Sequence, residues 1–142
     1  MEESADVLVE RELLDGSLSV AEDRRRLRDA LSGVNEDRVE DALLIMTELV
    51  ENAYHHADGP RRLCVHLVRE RGAIRIEVED ASPTRLPVLG RHGHPDSDGA
   101  GLLIVNRLAS HWGCRRRNAA KTVWAEVSDP GEAVRLSSTG HR

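Results

Sequence analysis

Glu48 and Asn52 stand four residues apart in the segment Glu48-Leu-Val-Glu-Asn52-Ala-Tyr-His-His56-Ala57. Inside a helix, residues at i and i+4 share a face, so these two side chains can act on one object. A carboxylate can take a proton, and an amide oxygen suits a hard cation such as magnesium. A solvated helix face is the ordinary alternative. Three further features follow along the chain. Asp80 closes a strand-like run just before Ala81-Ser82-Pro83, where its carboxylate could accept the exocyclic amine of a purine or simply close an Asx-turn. In Gly99-Ala-Gly101-Leu102 the glycines could let backbone N–H groups approach phosphate at a helix start, or mark only a loop-to-helix junction. Thr122, after Lys121, opens a late strand and could be no more than a β-forming residue.

Other chemistries fit the sequence poorly. His55 and His56 are neighbours on a helix and point in different directions. His92 and His94 fall in a loop, and no third ligand of matching spacing makes a zinc site. Cys64 and Cys114 have no Cys or His neighbour at zinc spacing and read as reduced thiols of core or strand. The chain contains no Gly-x-x-x-x-Gly-Lys-Ser/Thr loop. A net charge of −5 argues against a dedicated nucleic-acid binder, and the run Arg115-Arg116-Arg117 fits an exposed strand end. No apolar run approaches a membrane span and Met1-Glu2-Glu3 does not resemble a signal peptide, so a cytoplasmic protein is expected.

The elements that would position these residues follow from periodicity. With 142 residues, 39% hydrophobic and 32% charged, one globular domain is the simplest organisation. A first strand is predicted over 7–14. A helix follows from an N-cap at Ser19, with Glu22 completing a capping box, to about Leu31. Its exposed face carries Arg24, Arg25 and Arg28. A second helix is expected over Glu36–Ala57, with Val39, Ala42, Leu43, Met46, Leu49, Val50, Ala53 and Ala57 on one stripe. Asp41, Glu48, Asn52 and His55 lie on its other side, and Asp58-Gly-Pro60 ends it. Strands are predicted over 63–69 and 73–80, the second alternating Ile74, Ile76 and Val78 with Arg75, Glu77 and Glu79.

Residues 82–98 hold Pro83, Pro87 and Pro95 and read as a long functional loop. A third helix should begin near Gly99, with strands over 112–117 and 122–127. This order predicts an α+β two-layer sandwich: a mixed, mostly antiparallel sheet covered on one face by about three helices. The domain should span residues 1–128, with 129–142 as a flexible tail.

Taken in order, these motifs resemble the GHKL ATPase superfamily, which shares the Bergerat nucleotide-binding fold. Glu48-Leu-Val-Glu-Asn52-Ala, Gly99-Ala-Gly-Leu102, Lys121-Thr-Val-Trp-Ala-Glu126 and Leu108-Ala-Ser-His-Trp-Gly113 are most similar to the small anti-sigma factor serine/threonine kinases of actinobacterial type. The resemblance spans the first helix to Val127. It implies ATP and Mg2+ as cofactors, with Glu48 as catalytic base and Asn52 as magnesium ligand. It implies that Asp80 reads the adenine amine with support from Thr122, and that Gly99, Gly101 and Leu102 close over the phosphates beneath a lid. Implied partners are a sigma factor, met through Arg24, and a STAS-type anti-sigma factor antagonist whose serine or threonine is phosphorylated. A homodimer is implied as well. Ser82 departs from the family's wider pattern, which has glycine two residues after the aspartate, and a side chain there lessens close backbone approach to the base. That departure keeps an alternative open: a non-catalytic sigma-factor or partner-binding module with weak or no use of ATP.

Overall fold

A computed structural model describes residues 5–13, 20–56, 61–81 and 98–128, with the backbone alone for His56, Arg71 and residues 98–102. The elements are β1 (Ala5–Leu13), α1 (Val20–Ala30), α2 (Glu36–His56), β2 (Arg61–Val68), β3 (Ala73–Asp80), α3 (Asp98–Leu108), β4 (His111–Arg117) and β5 (Ala120–Ser128). Among the described residues the strands form a five-stranded sheet in the order β1-β2-β3-β5-β4. The expected α+β sandwich is borne out, and every pairing in the sheet is antiparallel. Ser19, Ala57, the stretch 82–97 and the tail over 129–142 lie outside the described residues.

Alternation decides which side of each strand is buried. Val65, Ile76 and Ala125 lie in register across three strands, as do Leu63, Val78 and Val123. All six are buried, and with Leu43, Met46, Leu49 and Val50 of α2 they form the core. Each large aliphatic side chain so buried contributes about 1.5–3 kcal/mol. The buried stripe of α2 is wider than the sequence suggested, because α1 and α3 pack along its flanks as well as the sheet beneath it. Ile45, absent from the predicted stripe, is fully buried for that reason.

Local chemistry sets the ends of these elements. Asn35 caps α2: its Oδ1 accepts the backbone N–H of Asp37 at 2.9 Å and that of Arg38 at 3.3 Å. Between β2 and β3 the chain turns through Gly72 in the left-handed region, φ 58°, which glycine adopts without steric cost. The buried face of α1 is Val20, Asp23 and Leu27. Asp23 is fully enclosed there, and the Arg11 fork of β1 meets it with two bonds of 2.6 Å each.

The other side of the sheet is polar. Arg75 donates to Glu77 at 2.8 Å and to Glu126 at 2.7 Å, and its guanidinium lies 4.4 Å above the Trp124 ring. Burial opposes the charge of Glu77, but the Arg75 bonds override it and hold the carboxyl below its ordinary range. Gly113, directly opposite Trp124, makes room for that ring, since a Cβ there would come within 3.1 Å of it. Cys64 and Cys114 are free and half-buried in strands, as expected. Among the described residues no helix is long and apolar enough to cross a membrane.

Candidate functional site

Glu48 and Asn52 lie one turn apart on α2, both half-buried at the margin of its core stripe. Burial, and then the nearby charge of Glu51, pushes the Glu48 carboxyl above the ordinary glutamate range. A raised carboxyl is the better proton acceptor near neutral pH.

The last turns of α2 are tied to the sheet by Arg61. Its Nε donates to the Ala53 carbonyl at 3.0 Å, and its guanidinium lies 4.9 Å over the Tyr54 ring. Arg61 opens β2 directly opposite Asp80, the last residue of β3. The Asn52 end of α2 and the Asp80 end of β3 therefore meet through one arginine.

Asp80 belongs to a cross-strand row on the helix-facing side: Leu13, Arg61, Asp80, Lys121 and Arg116. Lys121 Nζ is 3.5 Å from Asp80 Oδ2, and both side chains are nearly enclosed. A cleft of about 280 Å³ opens at this end of the sheet, lined by Leu13, Arg61, Asp80, Ala81 and Ala120 among others. That is smaller than the ~300–1,000 Å³ typical of a whole-ligand pocket, so it suits one part of a ligand.

The structure does not bring Thr122 to Asp80. Thr122 pairs with Glu79, one residue along each strand, and so lies on the opposite face of the sheet. It lines a shallow polar depression there with Glu10, Arg62, Cys64, Glu77 and Glu79. The strand period of two is the reason: the residue that shares a face with Asp80 is Lys121. Arg24 is likewise less exposed than expected. It is half-buried and its Nη1 donates to Thr47 Oγ1 at 3.0 Å, whereas Arg25 and Arg28 are exposed.

Gly99 and Gly101 fall in the first turn of α3, which starts at Asp98 and packs against α2, and Leu102 opens the second turn. The first four N–H groups of a helix have no partner within it and carry partial positive charge. Ser82 lies outside the described residues. Among the described residues no group of three or more His, Cys, Asp and Glu side chains could hold a metal ion. Magnesium retains several waters and takes few protein ligands, so one amide oxygen from Asn52 fits an ion that shares the phosphates of a nucleotide.

Sequence reasoning missed Arg61 and Lys121. The signal was present: Arg61 alternates in step with Leu63 and Val65, and Lys121 in step with Val123, Ala125 and Val127. Both charges therefore had to face the core side.

The site is thus set in an antiparallel sheet that carries helices on one face, with polar groups gathered at one end of β2, β3 and β5. Residues 17–134 match the histidine kinase-like ATPase domain, and the chain belongs to that family. Membership implies ATP binding. Among solved structures, the chain is similar to that of the RsbU and RsbW domains of Rv1364c from Mycobacterium tuberculosis, with 20% identity and a TM-score of 0.60. The match covers 86% of this chain and 33% of the solved one, so this chain spans about a third of that protein's length. At that identity the likeness is one of fold. No curated protein matches this chain.

Proposed function

We propose that this protein is an anti-sigma factor with ATP-dependent serine/threonine kinase activity towards a STAS-type antagonist. The observation that supports the reading is the tie that Arg61 makes between the Ala53 carbonyl of α2, one residue past Asn52, and the Asp80 end of β3, in a chain of the histidine kinase-like ATPase family. Asp80 accepts the adenine amine at the end of the sheet. Asn52 would hold magnesium through its amide oxygen, and the bound ion would neutralise phosphate charge. Backbone N–H groups around Gly99, Gly101 and Leu102, at the positive end of α3, receive the phosphate oxygens. Glu48 takes the proton from the incoming serine or threonine hydroxyl as its oxygen bonds the γ-phosphorus, and ADP leaves with the electrons of the broken P–O bond. A sigma factor is the second partner, and a cytoplasmic homodimer is the form in which we place the activity.

The test is phosphotransfer with Glu48→Ala. Transfer to a cognate STAS-type protein should fall about 10²-fold or more, the scale of a lost general base, while calorimetry still registers Mg-ATP. Transfer at the wild-type rate would remove Glu48 from the mechanism. Ser82, in place of the family's glycine, favours a second reading: a partner-binding module that makes no use of ATP. Under that reading the wild-type protein shows no heat of binding at millimolar Mg-ATP.

A further inference from the structure

Lys121 is a lysine where the sheet has every packing reason for an aliphatic side chain. Its neighbours on the same face of β5 are Val123, Ala125 and Val127, all buried. Lysine is almost never enclosed without a partner, and its partner here is Asp80 Oδ2 at 3.5 Å. The pair is a direct cross-strand pair, held at both ends by the ladder between β3 and β5.

An aspartate reading a base by itself has a weakness. The terminal torsion of Asp is broad, so its two oxygens swing about the Cβ–Cγ bond. An ammonium that holds one oxygen sets the plane of the whole group. The carboxylate so held is the one that lines the cleft beside Ala81 and Ala120. Asp80 is thus approached from β5 by an ammonium that is not among the groups lining the cleft.

We propose that Lys121 is a positioning residue for base recognition: by holding Oδ2 of Asp80 it aims the carboxylate at the exocyclic amine of a 6-aminopurine. It thereby sets the preference for that base over purines lacking the amine. This inference rests on the reading that Asp80 accepts the adenine amine. In this role Lys121 works through Asp80, so its removal should lower discrimination between bases more than it lowers overall binding.

The experiment compares Mg-ATP with the magnesium complex of purine riboside triphosphate, the same molecule without its 6-amino group. Calorimetric affinities are measured for the wild-type protein, Lys121→Met and Lys121→Arg. The wild type should prefer ATP by about tenfold or more, the worth of a hydrogen bond to a charged group. Lys121→Met should reduce that preference to about threefold or less, and Lys121→Arg, which still donates to the carboxylate, should restore most of it. Equal weakening of both ligands in Lys121→Met, with the preference ratio intact, would make Lys121 a packing residue and overturn the proposal. Absence of any preference in the wild type would overturn base reading by Asp80 and this inference together, and that arm stands apart from the variants. If Lys121→Met does not fold, Lys121→Gln supplies the same ratio. An unchanged ratio in that variant is equally fatal.

Discussion

Two ion pairs, each built on a buried carboxylate, lie on the same face of the sheet in adjacent rows, and they are built differently. Arg11 closes on Asp23 with both arms of its fork, Nε to Oδ1 and Nη2 to Oδ2, each at 2.6 Å. The hydrogen bond to Asp23 leads the causes that raise the Arg11 pKa above its ordinary value. Lys121 Nζ stands 3.5 Å from one oxygen of Asp80, a residue that lines a cleft. A bidentate fork occupies a carboxylate from both sides and clamps two elements, here β1 and α1. A point charge on a flexible stem orients a carboxylate while taking up only part of its capacity to accept hydrogen bonds. Geometry separates the clamp from the reader, and so does the exposure of the cation: Arg11 is half-buried, Lys121 nearly enclosed.

The largest effect that would sharpen this contrast is on the clamp. Asp23→Ala removes both bonds of the half-buried Arg11 fork and should cost about 1.5–3 kcal/mol in denaturant melts. A loss below about 1 kcal/mol would put the clamp on the level of a surface pair and erase the distinction. Its signature should be global stability, with the ATP preference of the folded protein untouched.

A smaller effect concerns Glu48, the carboxyl whose environment works against its charge. Its folded pKa is raised, so the native state holds a proton that the unfolded chain has already released. Stability is therefore lost as pH rises from the ordinary glutamate value through the raised one. Glu48→Gln should then be more stable than wild type at neutral pH and lose that advantage in acid. Thermal melts at several pH values check it, and an advantage that grows on acidification would contradict the sign. The same shift predicts that the acid limb of phosphotransfer lies above the ordinary glutamate range, and that Glu51→Gln moves it down.

The smallest effect is at Arg24, which neither clamps nor reads. Replacing it with Glu removes one hydrogen bond to Thr47, worth about 0.5–1.5 kcal/mol. Capture of a sigma factor should weaken while Mg-ATP binding stays the same. Undiminished capture would confine Arg24 to holding α1 against α2.

Much of the fold was legible because two periods recur along the chain. The alternation of Ile74, Ile76 and Val78 gave β3 its observed bounds, and the stripe on α2 ended within one residue of the observed helix. What the sequence hid was lateral: which residue of one strand stands beside which residue of the next. Thr122 and Lys121 are neighbours in the chain, yet only register decides that Lys121 faces Asp80. The family motif pointed to the threonine, and the pleat put the lysine there. The Arg11–Asp23 clamp was invisible for the same reason, since nothing local in β1 or α1 names a partner in the other element.

The sheet order also has a consequence for how the chain reaches its native state. β2 joins β3 through a single tight turn, and β4 joins β5 likewise, so these hairpins can form quickly from local contacts. β1 must instead wait for α1 and α2 to pass before its partner β2 exists in sequence, and that closure carries a larger entropic cost. We expect β1, an edge strand with a non-local partner, to peel away early. Amide exchange along β1 should accordingly outpace exchange along β3, which is flanked on both sides. The Arg11 fork then acts as a latch on an edge strand whose partner in the sheet lies far along the chain.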